Sequence, residues 1–474
     1  MASYEYKEVP TDAQEEKNYR FKKENSWKPF LRQLFVSSVL WSHYFSVGIS
    51  LGVPTVFVPQ LRREANATEA VSDEMVSWLS SIFGYSTVPS VFLLAFLMPY
   101  IGRRGGCIIV SFSMIIVSIG YYLTTTAVHL IITDVFQGVA NAGPFTFSIL
   151  SLVEYTSPKF RGAMLTVKTA NLYWAIWIAN AIGTFTHWRY ICVPSFINSL
   201  YSLLVFFWPE SPAWLASKGR IDECKKAHRW LKGCSEESEK ELEKLVASLE
   251  SRSQEDPRRF VRVILDRQFY MPAALSCLVM AAHQLSGKQV CTIYALDMLK
   301  SITKSESTAY TGMLVLDGVT LICMYIGCAL SKVMKRRMLL LLFGGIAAVF
   351  LFCLSLYLYL CSLKVLVQND YISMFLLVGF SMAIGAGPII LAISLYGELI
   401  PSRYNRESVI VTAVFFFLLQ ATLFKISPYI FKAFDMHGTF LFYGISVTVC
   451  LVILYKYLPE TKDKTMQEIE EYFK

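Results

Sequence analysis

With 54% hydrophobic and only 17% charged residues over 474 positions, and a mean hydropathy of +0.44, the chain departs from soluble globular composition, which runs at roughly 45–50% apolar and about 25% charged. The balance excludes an ordinary soluble domain and points to an all-α integral membrane protein. A net charge of +8 could serve nucleic acid, but the basic residues are distributed as a topology signal instead.

Residues 1–33 are polar and charged and read as a tail rather than a cleavable signal, having no short apolar core that ends in a small-residue site. Apolar stretches long enough to cross a bilayer then follow at about 34–56, 76–100, 107–126, 128–152, 164–185 and 190–208. After a charged segment come 270–296, 308–330, 338–361, 372–396, 408–430 and 438–457. The expected organisation is a tail (1–33), a six-helix bundle (34–208), a linker (209–268), a second six-helix bundle (269–457) and a short tail (458–474). The linker reads as helical, because Leu242, Leu245, Val246 and Leu249 share one face and Glu236 stands four residues before Lys240.

Basic residues gather in alternate loops: the segment up to Arg32, Arg103 with Arg104, Lys159 with Arg161, the linker, Lys332 to Arg337, and Arg403 with Arg406. The positive-inside rule puts those loops and both termini in the cytoplasm, with the plasma membrane as the expected location. The first external loop carries Asn66-Ala67-Thr68, a glycosylation acceptor triplet.

Three charged motifs occur twice in the same order, about 240 residues apart. Gly102-Arg103-Arg104 recurs as Lys335-Arg336-Arg337, Glu154 with Arg161 as Glu398 with Arg403 or Arg406, and Pro209-Glu210-Ser211-Pro212 as Pro459-Glu460-Thr461-Lys462. Every copy closes an apolar run. A doubled hydrophobic unit with matching polar ends is a transporter architecture. The eleven cysteines include no CxxC pair and the six histidines have no metal-ligand spacing, so no metal or cofactor is expected. No phosphate-binding Walker loop is present, and no enzyme signature competes with transport.

These motifs resemble the sugar porter family of the major facilitator superfamily, over residues from about 30 to 474. The most specific matches are Pro209-Glu210-Ser211-Pro212-Ala213-Trp214-Leu215 and Pro459-Glu460-Thr461-Lys462-Asp463-Lys464-Thr465, joined by His283-Gln284-Leu285-Ser286-Gly287 in span seven. Gly48-Ile49-Ser50-Leu51-Gly52-Val53-Pro54 looks most like insect facilitated trehalose and hexose carriers. The resemblance implies twelve helices in two pseudo-symmetric bundles that rock around a central cavity. It also implies gating charges at the cytoplasmic helix ends: Arg103, Arg104, Glu154, Arg161, Glu210, Arg336, Arg337, Glu398 and Arg406.

A sugar presents hydroxyls that donate and accept, so its site needs neutral amides, hydroxyls and aromatic faces near the midplane, where unpaired polar groups are costly. Span seven offers His283, Gln284, Gln289, Thr292 and Tyr294. By alignment to the family, Thr169 takes the place of its span-five glutamine, and Phe417 and Gln420 lie near its span-eleven tryptophan and asparagine. The span-ten Pro-Trp falls on Ala392-Ile393, which removes a sugar-stacking face. Asp317 lies about nine residues into span eight, about 14 Å deep. It reads as a hydroxyl acceptor, a counter-ion for Lys168, His283 or a cationic solute, a proton site, or a structural carboxylic acid. Lys168 sits nearer the cytoplasmic end, where snorkelling is an equal reading. Ser50 stands where the family's proton symporters carry an aspartate, which favours facilitated uniport.

The expected function is therefore transport of a small polar solute, first of all a hexose or trehalose, by alternating access. The alternatives are a proton-coupled or organic-cation carrier of the same fold, and a nutrient sensor that has lost flux. The expected partners are the solute and the lipid bilayer, with no nucleic acid and no obligate protein partner.

Overall fold

Inside a bilayer no water is present to satisfy backbone N–H and C=O groups, so a spanning segment must bond them within itself. The computed structural model describes residues 27–64, 72–250, 266–303, 306–399, 405–462 and 472, and among them the regular structure is entirely helical. The first unit comprises α1 (Lys28–Glu64), α2 (Asp73–Leu123), α3 (Ala127–Gly143), a π-helical turn (Pro144–Ser148), α4 (Ile149–Tyr155), α5 (Pro158–Phe185) and α6 (Cys192–Ser202), the last flanked by 3₁₀ turns. Three short helices follow: α7 (Pro212–Ser217), α8 (Ile221–Lys232) and α9 (Glu236–Glu250). The second unit comprises α10 (Arg267–Leu285), α11 (Lys288–Ile293), α12 (Ala295–Ile302), α13 (Glu306–Val333), α14 (Arg336–Ser362), α15 (Asp370–Ala386), α16 (Pro388–Leu399) and α17 (Asn405–Tyr457).

Seven apolar helical stretches among the described residues are long enough to cross a membrane. Two of them, with 50 and 51 residues, far exceed the roughly 20 residues that one crossing needs. Each is broken by a residue with non-helical backbone, Gly102 in α2 and Asp435 in α17, so each supplies two crossings. The remaining expected spans are α3 with the π turn and α4, the single helix α5, and α10 to α12. Large apolar side chains such as Phe92, Phe96, Ile116, Val135, Ile322, Val349 and Val452 point outward and are exposed. That is a lipid-facing surface, since a soluble protein would present polar groups there.

Local sequence sets the helix ends. Ser72, Thr126, Asp266 and Asn369 each accept a backbone N–H from the first turn of the helix they precede, which satisfies donors with no partner inside the helix. Gly287 breaks span seven between α10 and α11 with φ of +77°, and a Cβ there would stand 2.7 Å from the Tyr443 ring. Glycine alone meets both demands.

The linker helices pack as the sequence predicts. Leu242, Leu245 and Val246 of α9 cover Leu215, Ala216, Cys224 and Ala227, and Lys240 pairs with Glu236 at 2.7 Å; the Leu249 side chain lies outside the described residues. The group is tied to the start of α1, where Arg32 donates to the Trp230 carbonyl at 2.8 Å and Gln33 to that of Leu231 at 3.3 Å. These helices mark one membrane face, the linker face.

The two units touch toward the opposite face and between α5 and α13, where the Trp177 indole donates to the Leu314 carbonyl at 3.2 Å. Thr55 donates to the Thr292 carbonyl at 2.9 Å, Ser77 to the Lys425 carbonyl at 2.6 Å, and Arg62 lies 3.9 Å from Asp297. A shared apolar cluster fills the space between them, with Val56, Phe57 and Phe83 from one unit and Val290, Ile293 and Phe424 from the other.

Candidate functional site

Two carboxylate clasps, one inside each unit, lie at the linker face, and a cavity lies between the units. In the first clasp the Glu210 carboxylate accepts the backbone N–H groups of Arg103 at 2.8 Å, Arg104 at 3.0 Å and Ser211 at 2.8 Å. Successive N–H groups converging on one anion form a strong, charge-assisted nest. The nest requires Gly102, whose φ is +75° and where a Cβ would stand 2.4 Å from Glu210 Oε2. The Arg103 side chain grips Glu154 in a two-pronged pair, Nη2 to Oε1 at 2.8 Å and Nε to Oε2 at 3.0 Å. Ser211 Oγ also donates to Glu154, and the Arg104 guanidinium donates to the Phe206 carbonyl at 2.8 Å. Burial disfavours the charge on Arg103, but Glu154 and Glu210 outweigh it and hold the guanidinium above its ordinary value.

The second clasp repeats the first. Glu460 accepts the N–H groups of Arg336 at 3.0 Å, Arg337 at 3.2 Å and Lys462 at 3.0 Å, and the Arg337 guanidinium donates to the Tyr455 carbonyl. The sequence repeat is thus a repeat of geometry. Arg161 does not meet Glu154; its Nη2 reaches the Thr156 carbonyl at 3.5 Å, and both residues line a surface cavity with His228, Lys232, Glu241 and Lys244. Burial pulls the Arg161 guanidinium down from its ordinary value. Glu398 lies on α16 and Arg406 near the start of α17, but their side chains, with Asn66 and Arg403 entirely, lie outside the described residues.

The central cavity holds about 940 Å³ of empty space, counting its open side, and is walled by both units. From the first unit come Tyr44, Phe83, Phe145, Lys168, Thr169 and Tyr173; from the second come His283, Gln289, Thr412, Phe416, Phe417 and Gln420. Four residues singled out from the sequence, Thr169, His283, Gln289 and Gln420, therefore share this wall. Gln420 donates its amide to Gln289, and Gln289 Nε2 lies 3.4 Å from His283 Nε2. This chain of neutral polar groups can exchange hydrogen bonds with hydroxyls.

Three others lie elsewhere. Gln284 is buried and outside the cavity wall, and neither of its amide atoms has a hydrogen-bond partner among the described residues. Tyr294 sits toward the opposite face, where it donates to the Phe424 carbonyl at 2.8 Å and lines a small crevice with Thr55 and Asp297. Asp317 accepts the Asn180 amide at 2.7 Å and interacts electrostatically with Lys288, whose Nζ reaches Ser381 Oγ at 3.3 Å.

Sequence reasoning passed over Lys288, although a lone charge directly after a glycine break in an apolar run is a usable signal. It also left Lys168 divided between snorkelling and function. In the structure Lys168 is 1% exposed, lines the cavity and stands over the Tyr44 ring at 4.8 Å. Aromatic rings do line the cavity: Phe145 lies 4.8 Å from Phe417 and 5.5 Å from Phe416, centroid to centroid. Phe145 is placed there by the π turn, and π turns recur at functional sites.

A family model described as "Sugar (and other) transporter" matches residues 30–473. The facilitated trehalose transporter Tret1 of Bombyx mori is 24% identical over 459 residues, covering 94% of this chain and 88% of that protein. Its counterpart in Apis mellifera ligustica is 22% identical over the same shares. Among solved structures, the major facilitator proton:xylose symporter XylE bound to 6-bromo-6-deoxy-D-glucose superposes with a TM-score of 0.79 at 15% identity, covering 93% of this chain and 99% of that one. An inward open form of XylE from E. coli gives 0.74 at 15% identity, over 93% and 100%. The helices thus take the major facilitator fold of a multi-pass membrane transporter, and the chain belongs to the sugar (and other) transporter family.

Proposed function

We propose that the protein carries a sugar, a hexose or trehalose, through the plasma membrane by facilitated uniport, with both termini in the cytoplasm. The observation carrying this reading is the cavity wall itself: Thr169 faces His283, Gln289 and Gln420 across a space built from both units. A solute bound there bridges two bodies, 34–208 and 269–457, that exchange access by rocking. The carriers named for trehalose among its relatives support the sugar class. In this scheme Arg103, Arg104, Glu154, Arg161, Glu210, Arg336, Arg337, Glu398 and Arg406 gate the linker face, and Asn66 accepts glycan on the other.

Uniport is favoured because no carboxylate lines the cavity among the described residues. Ser50, at the position of the symporter aspartate, spends its hydroxyl on the Val47 carbonyl at 2.7 Å and on Asn141 at 3.3 Å. Asp317 already has Asn180 and Lys288 beside it and lies off the cavity wall, so it lends nothing to an organic-cation reading. Uptake of labelled glucose and trehalose into proteoliposomes should equilibrate without concentrating and should ignore an imposed pH gradient. Gradient-driven accumulation would replace uniport by symport. Glu154→Ala and Arg161→Ala should leave folding largely intact and slow turnover, and unchanged flux in both would remove the gating roles.

A further inference from the structure

Resting on that transport reading, we propose that the preferred solute is a sugar acid, a polyhydroxylated body bearing one carboxylate, with the carboxylate held at Lys168. Lys168 lies on α5 with 1% exposure, and its Nζ has no hydrogen-bond partner among the described residues. Its one described contact is the Tyr44 ring, and that ring is fixed by a hydrogen bond from the Tyr44 hydroxyl to the Pro144 carbonyl at 2.8 Å. The ammonium is therefore held in the cavity wall rather than drawn to the water boundary.

A buried ammonium with only an aromatic face beside it calls for a counter-charge. Among the described residues the protein supplies none at the cavity. Its two buried carboxylates within the described spans are engaged elsewhere, Asp134 by the Tyr121 hydroxyl at 3.0 Å and Asp317 by Asn180. Neither lines the cavity, and no acidic side chain does among the described residues. The missing charge can arrive with the solute. One cation suits one monoanion, because a dianion such as a phosphate ester would leave surplus negative charge among apolar walls. Across the cavity His283, Gln289 and Gln420 offer the amide and imidazole groups that hydroxyls need. A sugar acid lying between them would place its charge on the first unit and its hydroxyls on the second.

The test is competition in proteoliposomes holding the full chain, with labelled glucose as reporter and unlabelled glucose or glucuronate as competitors. Glucuronate should compete at about tenfold lower concentration than glucose, the effect of one charge-assisted hydrogen bond. Lys168→Gln should abolish that advantage, and Lys168→Arg should keep most of it. Glucuronate competing no better than glucose overturns the inference while the transport reading stands. Equal advantage in Lys168→Gln also overturns it. Absence of any sugar or sugar-acid uptake by the wild-type protein overturns the transport reading and this inference together. Thermal stabilisation of the detergent-solubilised protein by glucuronate, present in the wild type and lost in Lys168→Gln, reads the same preference without flux.

Discussion

The linker face and the central cavity are built on opposite plans. At the linker face the two units use one device twice: Glu210 gathers the N–H groups of Arg103 and Arg104, and Glu460 gathers those of Arg336 and Arg337. At the cavity both units contribute phenylalanine rings and a threonine, but the other polar groups differ, since Lys168 and Tyr44 stand on one side and His283, Gln289 and Gln420 on the other. Each clasp lies inside its own unit, so duplication gives both units the same joint at this face. A solute has no such symmetry, and its two ends meet different chemistry.

The largest effects should come from the clasps. Glu210→Gln and Glu460→Gln each remove the charge from a nest of backbone donors, at a cost of about 1.5–3 kcal/mol. Thermal unfolding midpoints should fall by similar amounts in the two variants, and transport per reconstituted molecule should fall with them. A large loss in one and none in the other would break the equivalence of the units. Gly102→Ala tests the same nest from the other side, because the new Cβ meets Glu210 Oε2 at 2.4 Å and φ is +75°. It should cost about 1–3 kcal/mol. Gly162 in α5 has nothing within 4 Å of its would-be Cβ, so Gly162→Ala should gain about 0.5–1 kcal/mol by helix propensity alone. The opposite signs separate local strain from a general intolerance of substitution.

Cavity substitutions come next and should act on affinity rather than folding. Gln289→Ala and Gln420→Ala each remove a partner from the amide chain, and each should raise the apparent KM for sugar by about tenfold. Asp317→Asn, off the cavity wall, should change KM little and act instead on stability through Asn180 and Lys288. If Asp317→Asn raised KM as much as Gln289→Ala, the boundary of the site would have to be redrawn to include span eight.

This contrast also explains what was legible in the sequence. The helices and their order could be read directly, because a bilayer permits only long apolar helices and basic loops mark their ends. The clasps were visible as repeats, but the pairing inside them was not. Spacing joined Glu154 to Arg161, whereas Glu154 is met by Arg103 and Ser211. The reason is that α4 ends at Tyr155 and the chain turns before α5 begins at Pro158, so Arg161 is directed toward the linker helices. The cavity was harder still. His283 and Gln284 are adjacent on α10 and point about 100° apart, so His283 reaches the wall and Gln284 does not, while the break at Gly287 sets where Gln289 falls. Periodicity separates His283 from Gln284, but not the register across Gly287 that brings Gln289 beside His283.

The smallest expected effect bears on one respect in which the clasps differ, the linker helices packed beside the first. His228 of α8 is buried and joined through Nε2 to the Ser238 carbonyl at 3.0 Å. Burial lowers its proton affinity below the ordinary imidazole value of 6.5, and Lys232 lowers it further, against the pull of Ser238, Glu241 and Glu239. The folded linker thus binds fewer protons at His228 than the unfolded one. Its contribution is fully present above the unfolded value of 6.5 and is lost as pH falls from there through the folded value. Hydrogen exchange in α8 and α9 should therefore quicken modestly between pH 7.5 and 5.5, after correction for intrinsic rates, while the backbone around Arg336 and Arg337 stays unchanged. His228→Gln should remove the pH dependence. Equal quickening at both clasps would point to a general loosening of the protein in acid rather than to this histidine.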